Sequence, residues 1–200
     1  MKKIGCFLII IGISLVAFYH IYNYASERKE NQNVEDYINE TSQIKNDITD
    51  EETNEGVKEE NINKSINYTA VLEIPKINLK RGVVDNTKNF KSINYAISVD
   101  GNSNYPNEKG NFILYAHSGS SNISFFRNLN LVDVDDNIYV YFNGVKYHYV
   151  IYKKYDIEKV GKAKIINSSD EQYITLITCN PDKKNYQIVL VGRLKDSLNY

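Results

Sequence analysis

Phe142-Asn-Gly-Val145 is the most restrictive segment of this 200-residue chain. Asn-Gly supplies the positive φ angles of a two-residue type I′ turn, and such a turn fixes the register of the strands on either side. It sets Phe142 opposite Val145, Val140 opposite Tyr147 and Ile138 opposite Tyr149. These six share one face, which must be the core; Tyr139, Tyr141, Lys146 and His148 fall on the other, where an exposed imidazole is the ordinary outcome. Similar runs recur at 69–74, 79–84, 111–117, 137–142, 145–156, 173–179 and 187–194. They are short, rich in aromatic and β-branched residues, and separated by Asn, Asp, Gly and Ser. One helical turn is expected, at 124–131. Hairpins with hardly any helix predict a mainly β, closed or nearly closed antiparallel barrel.

The remaining third of the chain is of two other kinds. Lys2 and Lys3 precede an almost unbroken apolar run from Ile4 to Ile21, at the short end of what spans a hydrocarbon core. The flanking charges favour an N-terminus inside and a C-terminus outside. An uncleaved anchor is favoured over a cleaved signal, because no small-x-small site follows the run. Either way the bulk of the protein is expected outside the cell. Cys6, in this run, has no apolar stretch before it, which excludes a lipoprotein signal and leaves a buried small residue. Residues 26–65 carry twelve acidic and five basic residues, a net of −7, whereas 66–200 carry a net of +4. The total of −1 is therefore a cancellation. The acidic stretch has one aromatic, Tyr37, and is expected to be a largely disordered stalk, partly helical at best. The organisation expected is an anchor at 1–25, a stalk at 26–66 and a catalytic domain at 67–200.

Cys179 is the only cysteine that can lie outside the membrane, so it has no intramolecular disulfide partner and reads as a reactive thiol. Of three histidines, His20 lies at the membrane boundary and His148 on the outer hairpin face. His117 ends the strand Asn111-Phe-Ile-Leu-Tyr-Ala-His117 and opens the loop Ser118-Gly-Ser-Ser-Asn122. Strand-final residues beside small polar loops are where sites are mounted. A thiolate attacks, a nearby imidazole stabilises it and delivers a proton to the leaving group, and a donor is needed for the oxyanion. That is acyl-transfer chemistry.

Other chemistries fit less well. Scattered histidines and two separated cysteines give no zinc spacing. Asp133, Asp135 and Asp136 could support a calcium loop, but acidic residues in a turn are more often simply solvated. No cofactor is called for: no glycine-rich phosphate cradle is present. A +4 domain without a basic stripe is not built for nucleic acid.

Four segments resemble the sortases, cysteine transpeptidases of the Gram-positive cell surface. They are Ile74-Pro-Lys-Ile-Asn-Leu79, Gly110-Asn-Phe-Ile-Leu-Tyr-Ala-His117, Phe125-Phe-Arg-Asn-Leu129 and Thr175-Leu-Ile-Thr-Cys179, in the family's order. The resemblance implies an eight-stranded barrel, a single-pass anchor, and cleavage of a Leu-Pro-x-Thr-Gly-type sorting signal on a surface protein or pilin. Cys179 would form the acyl-enzyme, and His117 would act as acid and base. An amine on a peptidoglycan precursor or pilin would resolve the thioester. Ala116 stands where the family usually has Gly. At the position of the family's third catalytic residue, an Arg, Gln187 stands instead. Gln187 can still donate a neutral hydrogen bond to an oxyanion. Arg193 is six residues further on, roughly 20 Å from the thiol end at the extended-strand rise. Arg81 and Arg127 are the other arginines that could serve. No class B insertion separates His117 from Cys179, and no class C lid precedes the barrel, so class A or D fits better. Water as acceptor, or an inactive peptide-binding barrel, are the competing readings.

Overall fold

A computed structural model describes residues 2–50, 68–85, 93, 96–160 and 170–200, with side chains in the N-terminal helix described for 9–44. A helix, α1 (Lys2–Asp50), precedes eight strands: β1 (Ala70–Ile74), β2 (Leu79–Asp85), β3 (Ile97–Val99), β4 (Gly110–Tyr115), β5 (Asn137–Phe142), β6 (Val145–Glu158), β7 (Gln172–Cys179) and β8 (Tyr186–Asn199). They close into a barrel in the order β1-β2-β3-β4-β7-β8-β6-β5. The Asn143-Gly144 turn takes φ values of 49° and 71°. It produces the register read from the sequence, Phe142 opposite Val145 through Ile138 opposite Tyr149.

The expected barrel was antiparallel throughout, and here the structure differs. β2 pairs with β3, and β4 with β7, in parallel. A parallel pair needs a crossover, and the crossover from β4 to β7 contains the whole β5–β6 hairpin. Alternation within one strand carries no sign of a neighbour's direction, so the sequence could not reveal this. β3 also escaped notice, because three residues give no period to detect. The segment 124–131 forms turns ending in a 3₁₀ turn at Leu129–Leu131.

Phe112, Leu114, Ala116, Ile138, Val140, Tyr149, Ile174, Leu176, Ile188 and Leu190 fill the interior. A buried large apolar side chain contributes about 1.5–3 kcal/mol, so this cluster is the main source of stability. A second cluster of Ile113, Tyr173, Ile177, Val189 and Val191 lies on the other face of β4, β7 and β8. The hydroxyl of Tyr149 is buried with no hydrogen-bond partner among the described residues.

The expectation of a largely disordered stalk at 26–66 is corrected as far as Asp50; residues 51–66 lie outside those described. Residues 26–50 continue α1, and a middle stretch docks on the barrel wall. Val34, 1% exposed, packs with Val71 and Tyr141. The Tyr37 hydroxyl donates to the Thr69 carbonyl at 2.8 Å, and Tyr68 donates to Glu30 at 2.7 Å. Glu35 pairs with Lys80 at 2.7 Å and Glu27 with Arg81 at 3.3 Å. Gly82 makes room: a Cβ there would collide with the Tyr68 ring. Composition alone misled because part of this segment finds partners on the barrel: Glu27 and Glu35 pair with Arg81 and Lys80, and Glu30 accepts from Tyr68. N-terminal to the docked stretch, α1 has an apolar window long enough to cross a membrane, with Ile9, Ile13, Leu15, Phe18 and Ile21 exposed. The side chain of Cys6 lies outside those described.

Candidate active site

Parallel pairing carries the two candidate residues to the same end of neighbouring strands. β4 and β7 run in register from Gly110 beside Gln172 to Tyr115 beside Ile177. The Ala116 N–H donates to the Ile177 carbonyl at 3.4 Å; β4 itself ends at Tyr115, and continuing its offset two residues further brings His117 to the level of Cys179. Neighbouring strands lie about 4.8 Å apart, so the two residues leave the barrel side by side at one edge. Both are half-buried. In an antiparallel pair, two strand-final residues would sit at opposite edges.

Alternation settles which face they occupy. Phe112, Leu114 and Ala116 on β4, Ile174 and Leu176 on β7, and Ile188 and Leu190 on β8 face the interior. Ile113, Ile177 and Val189 occupy the other face. His117, Cys179 and Gln187 continue that second series. Gln187 is directly opposite Cys179 across the β7–β8 ladder. Three chemically able side chains thus share one row on one face.

Local contacts hold the row. Thr178 points inward, is 2% exposed, and donates its hydroxyl to the Ala116 carbonyl at 2.7 Å. This pins β4 to β7 at the residues immediately before His117 and Cys179. Lower on the same pair, Thr175 donates to Asn111 Oδ1 at 3.0 Å, fully buried. Both threonines of Thr175-Leu-Ile-Thr-Cys179 therefore act on the register. After His117 the loop returns so that the Phe126 N–H donates to the His117 carbonyl at 3.0 Å, with Phe126 sunk in the core. After Cys179, the Asn180 side chain accepts the N–H groups of Asp182 and Lys183 at 2.9 and 3.1 Å and donates to Asp156 at 3.0 Å. Both loops beside the site are built on short-range hydrogen bonds.

The arginines are occupied elsewhere. Arg193 faces Tyr173, at the far end of the ladder from Cys179, and pairs with Glu171 at 3.4 Å. Arg127 donates to the carbonyls of Gly119 and Ser121 at 3.1 and 2.8 Å, bracing the loop after His117. Arg81, on β2, faces α1. The cation that does reach the sulfur is one the sequence did not single out: Lys159 Nζ lies 3.5 Å from Cys179 Sγ. β6 extends to Glu158, two residues beyond the run read from the sequence, and this extension carries Lys159 to the site. The alternation Tyr155, Ile157, Lys159 was the one available sign.

The other sequence candidates make contacts of their own. His148 is not exposed as expected: its side chain is 13% accessible, it is hydrogen-bonded to Asn137 at 2.7 Å and Asp196 at 3.2 Å, and it stacks on Tyr139. Asp133 and Asp136 face lysines, Lys154 at 3.7 Å and Lys76 at 3.8 Å. The Val134 N–H, and then Lys154, hold the Asp133 carboxyl below its usual range.

The sortase domain family matches residues 72–195, which include His117, Cys179 and Gln187. Three solved structures share the fold. A Clostridium perfringens sortase D5 transpeptidase is 19% identical, with a TM-score of 0.62, and the match covers 84% of this chain and 99% of that one. Sortase C1 from Streptococcus agalactiae is 23% identical, with a TM-score of 0.58 over 64% and 68% of the two chains. Listeria monocytogenes sortase A is 21% identical, with a TM-score of 0.56 over 66% and 90%. Among proteins of curated function, none is significantly similar in sequence.

Proposed function

Since the chain belongs to the sortase family, we propose that it is a membrane-anchored transpeptidase that cleaves a Leu-Pro-x-Thr-Gly-like sorting signal through a Cys179 thioester. The observation that carries this reading is the parallel register of β4 and β7, which directs both strands out of the barrel at the same edge, toward His117 and Cys179. In the proposed reaction the thiol gives its proton to His117 and the sulfur attacks the substrate Thr carbonyl carbon. The carbonyl electron pair moves onto oxygen, where a neutral donor such as Gln187 can stabilise it. Collapse breaks the C–N bond to Gly, and the leaving amine takes the proton from His117. An amine of a peptidoglycan precursor or pilin then attacks the thioester and gives its proton to His117. As the C–S bond breaks, that proton returns to sulfur. No metal or cofactor enters these steps.

α1 fits an anchor, with the N-terminal lysines inside the cell and the barrel outside. The test uses the full chain in detergent with a Leu-Pro-x-Thr-Gly peptide, with and without triglycine. A mass increase on Cys179 and a triglycine-joined product are expected. Free acid in the presence of triglycine would make the protein a hydrolase. No adduct at Cys179 would leave an inactive peptide-binding barrel, the reading that the missing arginine favours.

A further inference from the structure

We propose that Lys159 supplies the positive charge at the Cys179 sulfur that the neutral Gln187 does not. The inference rests on the reading of Cys179 as the nucleophile. Three observations carry it. Lys159 Nζ is 3.5 Å from Cys179 Sγ, within reach of the reacting atom itself. Its backbone is held at that level: the Lys159 N–H donates to the Asn185 carbonyl at 2.8 Å, continuing the ladder in which Ile157 faces Gln187 and Glu158 faces Tyr186. β7, β8 and β6 are consecutive around the barrel, so Cys179, Gln187 and the end of β6 lie at one level. Third, the carboxylates nearest along the strand are engaged by other groups. Asp156 accepts from Asn180 at 3.0 Å and lies 4.0 Å from Lys183, and Glu158 accepts from Tyr186 at 3.2 Å.

A positive charge beside the sulfur stabilises the negative charge that develops during attack, on the sulfur and on the oxyanion formed next to it. Lysine and arginine differ in how they do this: lysine is a compact point charge, without the planar fork of a guanidinium. The charge therefore reaches the sulfur from β6, a different strand from the one that carries Gln187.

The test reads charge at the sulfur separately from turnover. The full chain in detergent is alkylated with anionic iodoacetate and with neutral iodoacetamide, and modification is quantified at Cys179 by mass spectrometry. Lys159→Gln is expected to lower the iodoacetate-to-iodoacetamide rate ratio about five-fold, the Coulomb effect of one charge near 4 Å in a solvated site. Lys159→Arg should keep the ratio. With the sorting peptide, Lys159→Gln should lower kcat with little change in KM. Adding Gln187→Arg to Lys159→Gln should restore both readouts. An unchanged ratio in Lys159→Gln overturns the inference, as does a lowered ratio that neither arginine variant restores. The alkylation ratio does not depend on peptide cleavage. A wild-type chain with the expected ratio but no thioester would refute the transpeptidase reading and leave the charge assignment standing.

Discussion

The two ends of the β7–β8 ladder are built from similar parts used in different ways. At one end Cys179 faces Gln187, with neighbouring β4 running out toward His117 and with Lys159 Nζ 3.5 Å from the sulfur. At the other, Tyr173 faces Arg193, whose guanidinium sits 3.4 Å from Glu171 and lies over the Tyr152 and Tyr173 rings at 5.1 and 5.8 Å. The Tyr173 hydroxyl donates to the same Glu171. Six residues along a strand is about 20 Å, so a cation at one end has no effect on chemistry at the other. The Arg193 end carries a compensated charge among aromatic rings; the Cys179 end carries an ammonium next to a thiol. A strand's composition therefore says little about its chemistry until each side chain is assigned to a level in the ladder.

The largest effect should come from the reactive end. Cys179→Ala is expected to abolish both the thioester and the amine-joined product, whereas Arg193→Met should leave turnover within about two-fold. If Arg193→Met instead removes activity, the comparison is wrong and the ends are coupled. Next, His117→Ala should lower kcat by about 10²–10⁴, the range for a lost acid–base group, with the circular dichroism of the fold unchanged.

Thr178→Val probes the link between register and chemistry. It removes the donor to the Ala116 carbonyl and should cost about 1–3 kcal/mol in urea unfolding, because a buried acceptor loses its partner. Turnover should fall with it, since His117 follows Ala116 directly. Loss of stability without loss of turnover would mean that the histidine is positioned by its loop alone. Tyr149→Phe, in contrast, removes a buried hydroxyl without a described partner and should raise the melting temperature slightly.

The smallest effect belongs to the far end. The ring of Tyr105 stacks on Phe142 at 5.5 Å, and its neighbour Pro106 accepts from Gln172 at the start of β7. Burial, and then its hydrogen bond to Asp85, push the Tyr105 phenol up to about 12. The folded state thus holds this proton more tightly than the unfolded chain, whose tyrosines titrate near about 10. The contribution to stability is complete below pH of about 10 and is lost as pH rises toward 12. Thermal melts from pH 8 to 12 should show this decline, and Tyr105→Phe should flatten it. An unchanged alkaline limb in Tyr105→Phe would assign the decline to other buried tyrosines such as Tyr68 or Tyr141, both also pushed upward.

Much of this was legible in one dimension. Turn chemistry at Asn143-Gly144 and a period of two gave the hairpin, its register and the barrel, because both are short-range effects of backbone geometry. The same reasoning singled out Cys179 as the last residue of its strand and placed Arg193 far from the sulfur by counting along a strand; His117, read as strand-final, lies two residues beyond the end of β4. The acidic segment was misread because the lack of an apolar face was taken to mean the lack of a partner. Glu27 and Glu35 find theirs on β2, and Glu30 finds its own on Tyr68 just before β1, 38 to 54 residues away in the chain.

The amino-acid sequence by itself determined seven of the eight strands, which face of each is apolar, and that one thiol ends a strand while one imidazole follows shortly after another. Tertiary structure alone decided that β4 and β7 run in the same direction, which puts His117 and Cys179 at one edge, and that the end of β6 reaches the same level with Lys159. The reason is physical: alternation depends on a residue and its next neighbours, whereas strand direction and level depend on closing the barrel, a constraint satisfied only by the whole chain at once.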